Sequence, residues 1–127
     1  MPIERLSPDT MGKLPGAHHT VKTGSTVYIA GQVARDAQEN IVGKGDAAAQ
    51  LEQVYKNMET ACKAHGGSLA SIVKTTTYVT DLEYFPAVRD ARMRIYGDSP
   101  PTSTTVVVKS LANPDFLVEI EAIAYIE

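Results

Sequence analysis

Residues 117–126 read Leu-Val-Glu-Ile-Glu-Ala-Ile-Ala-Tyr-Ile, and their alternation predicts a β-strand with two different faces. One face is wholly apolar and carries Val118, Ile120, Ala122, Ala124 and Ile126. The opposite face mixes two carboxylates with apolar groups and carries Leu117, Glu119, Glu121, Ile123 and Tyr125. We expect the apolar face to lie beneath helices. The mixed face suits a subunit interface with polar pockets better than open solvent.

Upstream of this strand, runs rich in Val, Thr, Ile and Tyr predict strands at 18–23, 26–30, 72–80 and 103–109, with a further short strand at 40–43 as an option. Gly24-Ser25 has the composition of a two-residue hairpin turn between the first two. Residues 1–17 predict an irregular lead-in, because proline and glycine recur through them.

Two helices are indicated between the strands. Asp46 is a candidate N-cap for a helix at 47–64, and Gly66-Gly67 follows its end. One face of this helix is predicted to be apolar from the spacing of Leu51, Val54, Tyr55, Met58 and Cys62. Pro86 and Gly97 bracket a second, shorter helix.

The predicted order is therefore ββαβαββ, an α+β fold in one domain spanning 1–127. Right-handed crossovers should place both helices on the same face of a mixed sheet. A chain of 127 residues is long enough to bury one core.

Composition excludes several classes of protein. No apolar run approaches the roughly 20 residues that span a bilayer, so no membrane association is expected. The first residues lack a basic segment followed by an apolar one, and the single cysteine fits a reducing compartment, so we expect a cytoplasmic protein. The net charge is −3 and no Lys/Arg cluster is present, so a nucleic-acid partner is not expected.

Four segments together resemble the RidA family (also called YjgF or L-PSP) of enamine/imine deaminases. They are Ile29-Ala30-Gly31-Gln32, the run from Ile72 to Leu82, the run Pro100-Pro101-Thr102-Ser103-Thr104-Thr105, and the strand from Val118 to Ala124. The resemblance implies a chorismate-mutase-like subunit, assembled as a homotrimer with small-molecule pockets at the subunit junctions and working without a cofactor.

The resemblance also implies site residues. Glu119 matches the family glutamate that orders the attacking water, and Gly31 lies in the matched Ser-Gly-Gln segment. Thr105 stands where many relatives have Cys or another small residue beside the pocket. Ser103 replaces the arginine of the family's Pro-Ala-Arg-Ser motif, which holds the substrate carboxylate. Two further pocket positions differ: Ala17 aligns with a family Tyr, and Arg89 stands where relatives often have Asn.

Each residue also has a structural interpretation. Arg89 could supply the missing cation, or it could belong with Arg92 and Arg94 to a solvated helix face. Glu119 could form an interface ion pair instead of ordering water. Thr105 could bind a ligand or simply pack in its strand.

Glu121 is expected to be structural, Cys62 a buried inert thiol, and the histidines too dispersed to bind a metal.

The leading hypothesis is hydrolysis of an imine, an enamine or a related C–N bond. The alternative is a binding protein that kept the pocket and lost catalysis, and an endoribonuclease is the third reading. A serine offers one neutral hydrogen bond where an arginine offers a charge-assisted pair, so Ser103 predicts weak use of small α-imino acids and a bulkier, less anionic ligand.

Overall fold

A computed structural model describes residues 2–127. Its six strands form one sheet, and two α-helices accompany the sheet. The strands are β1 (Ile3–Leu6), β2 (Thr20–Thr23), β3 (Thr26–Gln32), β4 (Ile72–Val79), β5 (Thr102–Val107) and β6 (Val118–Tyr125). The helices are α1 (Ala47–Lys63) and α2 (Phe85–Tyr96). The α+β class and the predicted positions of both helices are confirmed.

The sheet order is β1-β2-β3-β6-β4-β5. All neighbouring pairs are antiparallel except β4 and β5, which run parallel and are joined through α2. The mixed sheet predicted from the sequence is therefore present. Because β6 lies between β3 and β4, the strand carrying Glu119 and Glu121 occupies the middle of the sheet.

Both helices pack on one face of this sheet, as the handedness of the crossovers predicts. The five apolar residues of the β6 face are each at most 6% exposed. The apolar stripe of α1 is likewise buried, and it meets α2 at Val88 and Ala91. Asp46 caps α1 as predicted, accepting a hydrogen bond from the Ala49 amide at 3.1 Å.

The sequence analysis was wrong about the beginning of the chain. Residues 3–6 form β1, paired antiparallel with β2, where an irregular lead-in was predicted. Three of its four residues are exposed and one is half-buried. The strand therefore has no alternation of apolar and polar residues from which it could be predicted. The optional strand at 40–43 is only an isolated bridge between Arg35 and Ile41. Met1 belonged to the predicted lead-in and lies outside the described residues.

The loop between β1 and β2 is tied to the sheet by a buried polar network. His19 is 5% exposed, and its Nε2 lies 2.6 Å from the carbonyl oxygen of Gly12. Gln32 Nε2 donates to His19 Nδ1 at 3.1 Å, so the hydrogen of this imidazole is on Nε2 and is donated to Gly12. Arg35 adds a bond to the Lys13 carbonyl oxygen at 2.5 Å.

Candidate functional site

A β-bulge interrupts the pairing of β3 with the central strand. Ile29 pairs with Ala122 and Gln32 with Ile120, so Ala30 and Gly31 lie opposite the single residue Glu121. Bulges bend a strand and re-aim its side chains, and they are frequent beside functional sites. The bulge falls in the Ile29–Gln32 segment that carried part of the family resemblance.

The bulge brings Gly31 against the side chain of Glu119. A Cβ added to Gly31 would lie 2.8 Å from Glu119 Cδ and 3.1 Å from Cγ, and closer still to Oε2. Real Cβ atoms do not approach other atoms at such distances, so the carboxylate occupies space that only glycine leaves free. Two of the predicted site residues are therefore in direct contact.

The Glu119 carboxyl is half-buried, and within residues 2–127 it makes no hydrogen bond or ion pair. Burial raises the pKa of this carboxyl above its ordinary value, and the negative charge of Glu121 raises it further. The structure thus holds a partly desolvated carboxyl group without a protein partner, which leaves its oxygens free for water or a ligand.

Glu121 lies two residues along β6 from Glu119, on the same face of the sheet, and accepts a hydrogen bond from a tyrosine. Tyr78 Oη donates to Glu121 Oε1 at 2.5 Å, and this hydrogen bond is the main reason that the pKa of Tyr78 is raised. The bond fixes a carboxylate near Glu119 without neutralising it. Glu121 was expected to be structural. Its negative charge also raises the pKa of Glu119.

A cleft of about 380 Å³ opens beside the bulge on the face of the sheet away from the helices. Its polar groups include Lys74, Thr76 and Glu121, and its apolar wall includes Tyr28 and Ile123. Tyr28 is 50% exposed. The part of the mixed face around Glu121 and Ile123 is therefore concave and partly uncovered, and Glu119 does not line this cleft.

Ser103 and Thr105 lie on the other face of the sheet. They pair in register with Thr75 and Thr77, both of which are buried on the helical side. Glu119 pairs with Tyr78 and faces the opposite way. One copy of the chain therefore separates Ser103 from Glu119, so the junction pocket expected from the family resemblance would take these two residues from different copies.

Ser103 contacts a cation that the sequence analysis did not choose. Arg92 Nη1 donates to Ser103 Oγ at 2.8 Å, whereas Arg89 lies 3.8 Å from the carboxylate of Asp90. In this chain α2 directs Arg92 to Ser103, and the role of Arg89 as a substitute cation stays a prediction. Arg89 is exposed and Arg92 is half-buried.

The remaining predicted residues lie apart from these two clusters. Ala17 is exposed in the turn before β2, where its amide donates to the Leu14 carbonyl oxygen. The Thr105 hydroxyl is buried and has no hydrogen-bond partner among residues 2–127. Cys62 is fully buried, and burial, with a smaller contribution from Glu59, raises the pKa of its thiol to about 11.

The histidines occupy three separate environments. His18 is exposed beside Ser7, and His19 belongs to the buried network described above. His65 is buried between Thr20, at 2.7 Å, and Glu4, at 2.8 Å. Within residues 2–127 no cluster of His, Cys, Asp and Glu has the arrangement of a metal site. No helix in that same range is both long and apolar enough to cross a bilayer.

Comparison with known proteins gives consistent matches over nearly the whole chain. The family model described as endoribonuclease L-PSP matches residues 14–126. A RutC family protein of Pyrococcus horikoshii is 36% identical over 107 residues, which cover 84% of each chain. The 2-iminobutanoate/2-iminopropanoate deaminase of Dermatophagoides farinae is 30% identical over 122 residues, covering 96% of this chain and 92% of that protein.

A solved structure of a relative has the same fold. The crystal structure of RidA from an Antarctic Psychrobacter superposes with a TM-score of 0.89 and 33% identity, covering 97% of this chain and 99% of that one.

Proposed function

Because this chain belongs to the endoribonuclease L-PSP family, also called RidA or YjgF, we propose that it hydrolyses the C–N bond of a small imine or enamine. One observation carries the proposal: the half-buried carboxyl of Glu119 packs against Gly31 at the β3 bulge and has no partner among residues 2–127. The similarity to a 2-iminobutanoate/2-iminopropanoate deaminase supports the substrate class.

In the proposed reaction, Glu119 acts as the base that positions and activates water. The water oxygen bonds to the imine carbon as Glu119 takes one proton from it. That proton passes to the nitrogen and gives a carbinolamine. Glu119 then takes the carbinolamine hydroxyl proton and passes it to the amine nitrogen, so that the C=O bond forms as the C–N bond breaks and ammonia leaves. An enamine enters the same path after tautomerising to the imine. A raised pKa suits the task, because the carboxylate is then a better base near neutral pH.

The complete pocket is proposed to form between copies of the chain. Glu119 and Ser103 face opposite sides of one sheet, so a ligand that meets both must contact two copies. The outer sheet face leaves Tyr28 50% and Tyr125 55% exposed, and β5 is exposed along most of its length. Apolar surface of this kind favours burial against another subunit. The homotrimer expected from the family remains a prediction that this surface supports.

The experiment is a hydrolysis assay on 2-iminobutanoate. The imine is generated in place by an amino-acid oxidase with catalase, and 2-oxobutanoate and ammonia are measured above the uncatalysed background. We expect catalysis by the wild type, loss in Glu119→Gln, and no change in Glu52→Gln, a matched substitution on the exposed side of α1.

A wild type that binds 2-oxobutanoate but accelerates neither this imine nor its methyl ester would instead support the non-catalytic reading. Cleavage of single-stranded RNA would support the endoribonuclease reading. The net charge of −3 makes that outcome unexpected, because RNA binding draws on clustered positive charge.

A further inference from the structure

The bulge that brings Gly31 against Glu119 is closed by a side chain of its own strand. Gln32 is 3% exposed and follows the two bulged residues. Its Nε2 donates to the Ala30 carbonyl oxygen at 3.0 Å, so a hydrogen bond spans Gly31. The regular ladder between β3 and β6 is interrupted at this point, and a bond of this kind fixes backbone that the ladder does not hold.

A buried histidine contacts Gln32 in turn. Gln32 Nε2 also donates to His19 Nδ1 at 3.1 Å, and His19 Nε2 donates to the Gly12 carbonyl oxygen at 2.6 Å. The Ala30 amide donates to the His19 carbonyl oxygen at 2.9 Å. Because the Ala30 carbonyl oxygen requires a donor, the orientation of the Gln32 amide is fixed, and His19 Nδ1 must accept. His19 thus reaches the bulge through its backbone and, by way of Gln32, through its side chain.

This network lies next to the carboxyl group that the proposed reaction uses. Gln32 pairs with Ile120, the residue that follows Glu119 on β6. Glu119 makes no hydrogen bond within residues 2–127, so its carboxyl takes its position from the groups packed around it, and Gly31 is one of them. A catalytic group placed by packing depends on the residues that fix its neighbours.

We propose that Gln32 and His19 are positioning residues for the proposed reaction, and that they hold the bulge in the shape that keeps the Glu119 carboxyl in place. Both act through Gly31, and neither is proposed to touch the substrate. This inference rests on the proposed function and adds the groups that support its base. The alternative is a structural network that stabilises the loop between β1 and β2 and leaves the base unaffected.

Steady-state hydrolysis of 2-iminobutanoate by Gln32→Met tests the proposal. Methionine fills a similar space and donates no hydrogen bond, so both bonds from Gln32 Nε2 are lost. We expect kcat to fall about 10-fold or more while KM stays within about twofold of the wild type, because a displaced base weakens the transition state more than substrate binding.

Two substitutions of His19 separate its bonds. His19→Ala removes the acceptor for Gln32 and should lower kcat, though less than Gln32→Met, because the bond to Ala30 remains. His19→Asn places a side-chain oxygen near the position of Nδ1, so Gln32 keeps an acceptor while the bond to Gly12 is lost. We expect His19→Asn to recover most of the activity that His19→Ala loses.

His65→Ala is the matched control for stability. His65 is 9% exposed, and its ring nitrogens lie 2.7 Å from Thr20 Oγ1 and 2.8 Å from Glu4 Oε1. The substitution therefore removes a second buried histidine with two hydrogen bonds, neither of which is made to the bulge. We expect a lower melting temperature in His65→Ala and an unchanged kcat for the folded protein.

A carboxyl titration followed by NMR of ¹³C-labelled protein gives a readout that does not depend on catalysis. Burial raises the pKa of Glu119, with a further contribution from Glu121. If the bulge loosens, water reaches this carboxyl, and its midpoint should move to lower pH in Gln32→Met but not in His65→Ala. The nearby titratable groups Glu121 and Tyr78 are unchanged in both variants.

Three results would overturn the proposal. These are equal losses of kcat in Gln32→Met and His65→Ala, equal activity in His19→Ala and His19→Asn, or a Glu119 midpoint that Gln32→Met leaves in place. If a thermal melt shows that Gln32→Met does not fold, the two His19 variants are compared by the same kinetic and NMR readouts, and the same differences decide.

The NMR readout also separates this inference from the proposed function. If the wild type hydrolyses no imine but the Glu119 midpoint responds to Gln32→Met and not to His65→Ala, the proposed function fails while the effect of the network on the carboxyl stands. If imines are hydrolysed and Gln32→Met behaves like His65→Ala, only the positioning inference fails.

Discussion

Replacing Gly31 with alanine tests whether the contact between the β3 bulge and Glu119 supports catalysis. The new Cβ would lie 2.8 Å from Glu119 Cδ and 3.1 Å from Cγ, so one of the two groups must move. The β3 backbone is paired to β6 on either side of the bulge, at Ile29 and Gln32, and the Ala30 amide donates to the His19 carbonyl oxygen at 2.9 Å. We therefore expect the Glu119 side chain to shift, because it is held by no hydrogen bond in the described residues.

The size of the effect follows from the distances. Ordinary carbon contacts begin near 3.4 Å, so the carboxyl must retreat by about 0.6 Å or more, and overpacking of this kind costs about 1–3 kcal/mol of stability. A displacement of about 1 Å in a catalytic group lowers activity by about 10²-fold. We expect a modest drop in melting temperature and a loss of imine hydrolysis of that order.

Gly67→Ala is the matched control for this experiment. A Cβ there would lie 2.6 Å from Ile126 Cδ1 and 2.7 Å from Ser71 Oγ, so the crowding is comparable, but Gly67 lies in the segment that follows α1. Both variants should lose stability, and only Gly31→Ala should lose activity. In a Glu119→Ala background the carboxyl is gone, so adding Gly31→Ala should have little further effect on hydrolysis.

Equal activity losses in Gly31→Ala and Gly67→Ala would show that crowding acts through stability alone. A large additional loss from Gly31→Ala in the Glu119→Ala background would show that Gly31 serves the reaction in some other way. Either result refutes the argument that this glycine exists to accommodate the carboxyl group.

Three further predictions follow from the same structure. Hydrolysis should fall as pH decreases through the raised pKa of Glu119, and Glu121→Gln should move this acidic limb to lower pH by removing a neighbouring negative charge, as a pH–rate profile would show. Cys62 should resist a thiol reagent in the native protein and react after unfolding, because its pKa is about 11 and the thiol is buried; rapid native labelling would contradict this. Light scattering should give the mass of a trimer, and Tyr125→Glu should shift it toward the monomer; a wild-type monomer at micromolar concentration would refute the predicted assembly.

The sequence predicted the fold well because its main elements bury one face. The alternation of β6 and the stripe of α1 are packing requirements, and both can be read from residue spacing. By contrast, β1 is exposed, and its pairing with β2 depends on neighbours far along the chain. Glu4 reaches His65, for example, across 61 positions. No local pattern reports such a contact.

The site was predicted unevenly for a related reason. Glu119 and Gly31 were identified from motifs, but the bulge that joins them is a property of strand pairing. The inward direction of Arg92 could have been predicted from helical geometry. Val88 and Ala91 mark the buried side of α2. At 100° per residue, Arg92 lies about 40° around the helix from Val88, whereas Arg89 lies about 100° from it. The apolar stripe thus favoured Arg92 as the cation directed inward, whereas the family resemblance pointed to Arg89.

The position of β6 has a consequence for how the protein forms during synthesis. The strand enters the sheet between β3 and β4, which have no direct pairing of their own. Until residues 118–125 have been made, β1–β3 and β4–β5 are two half-sheets that no strand bridges, each presenting an unpaired edge that can associate with other chains. Closure of the sheet is therefore a late event that depends on distant contacts, and it is slow relative to helix formation. During synthesis, the exposed edges of β3 and β4 must therefore avoid pairing with other chains until β6, which carries Glu119 and Glu121, pairs with both.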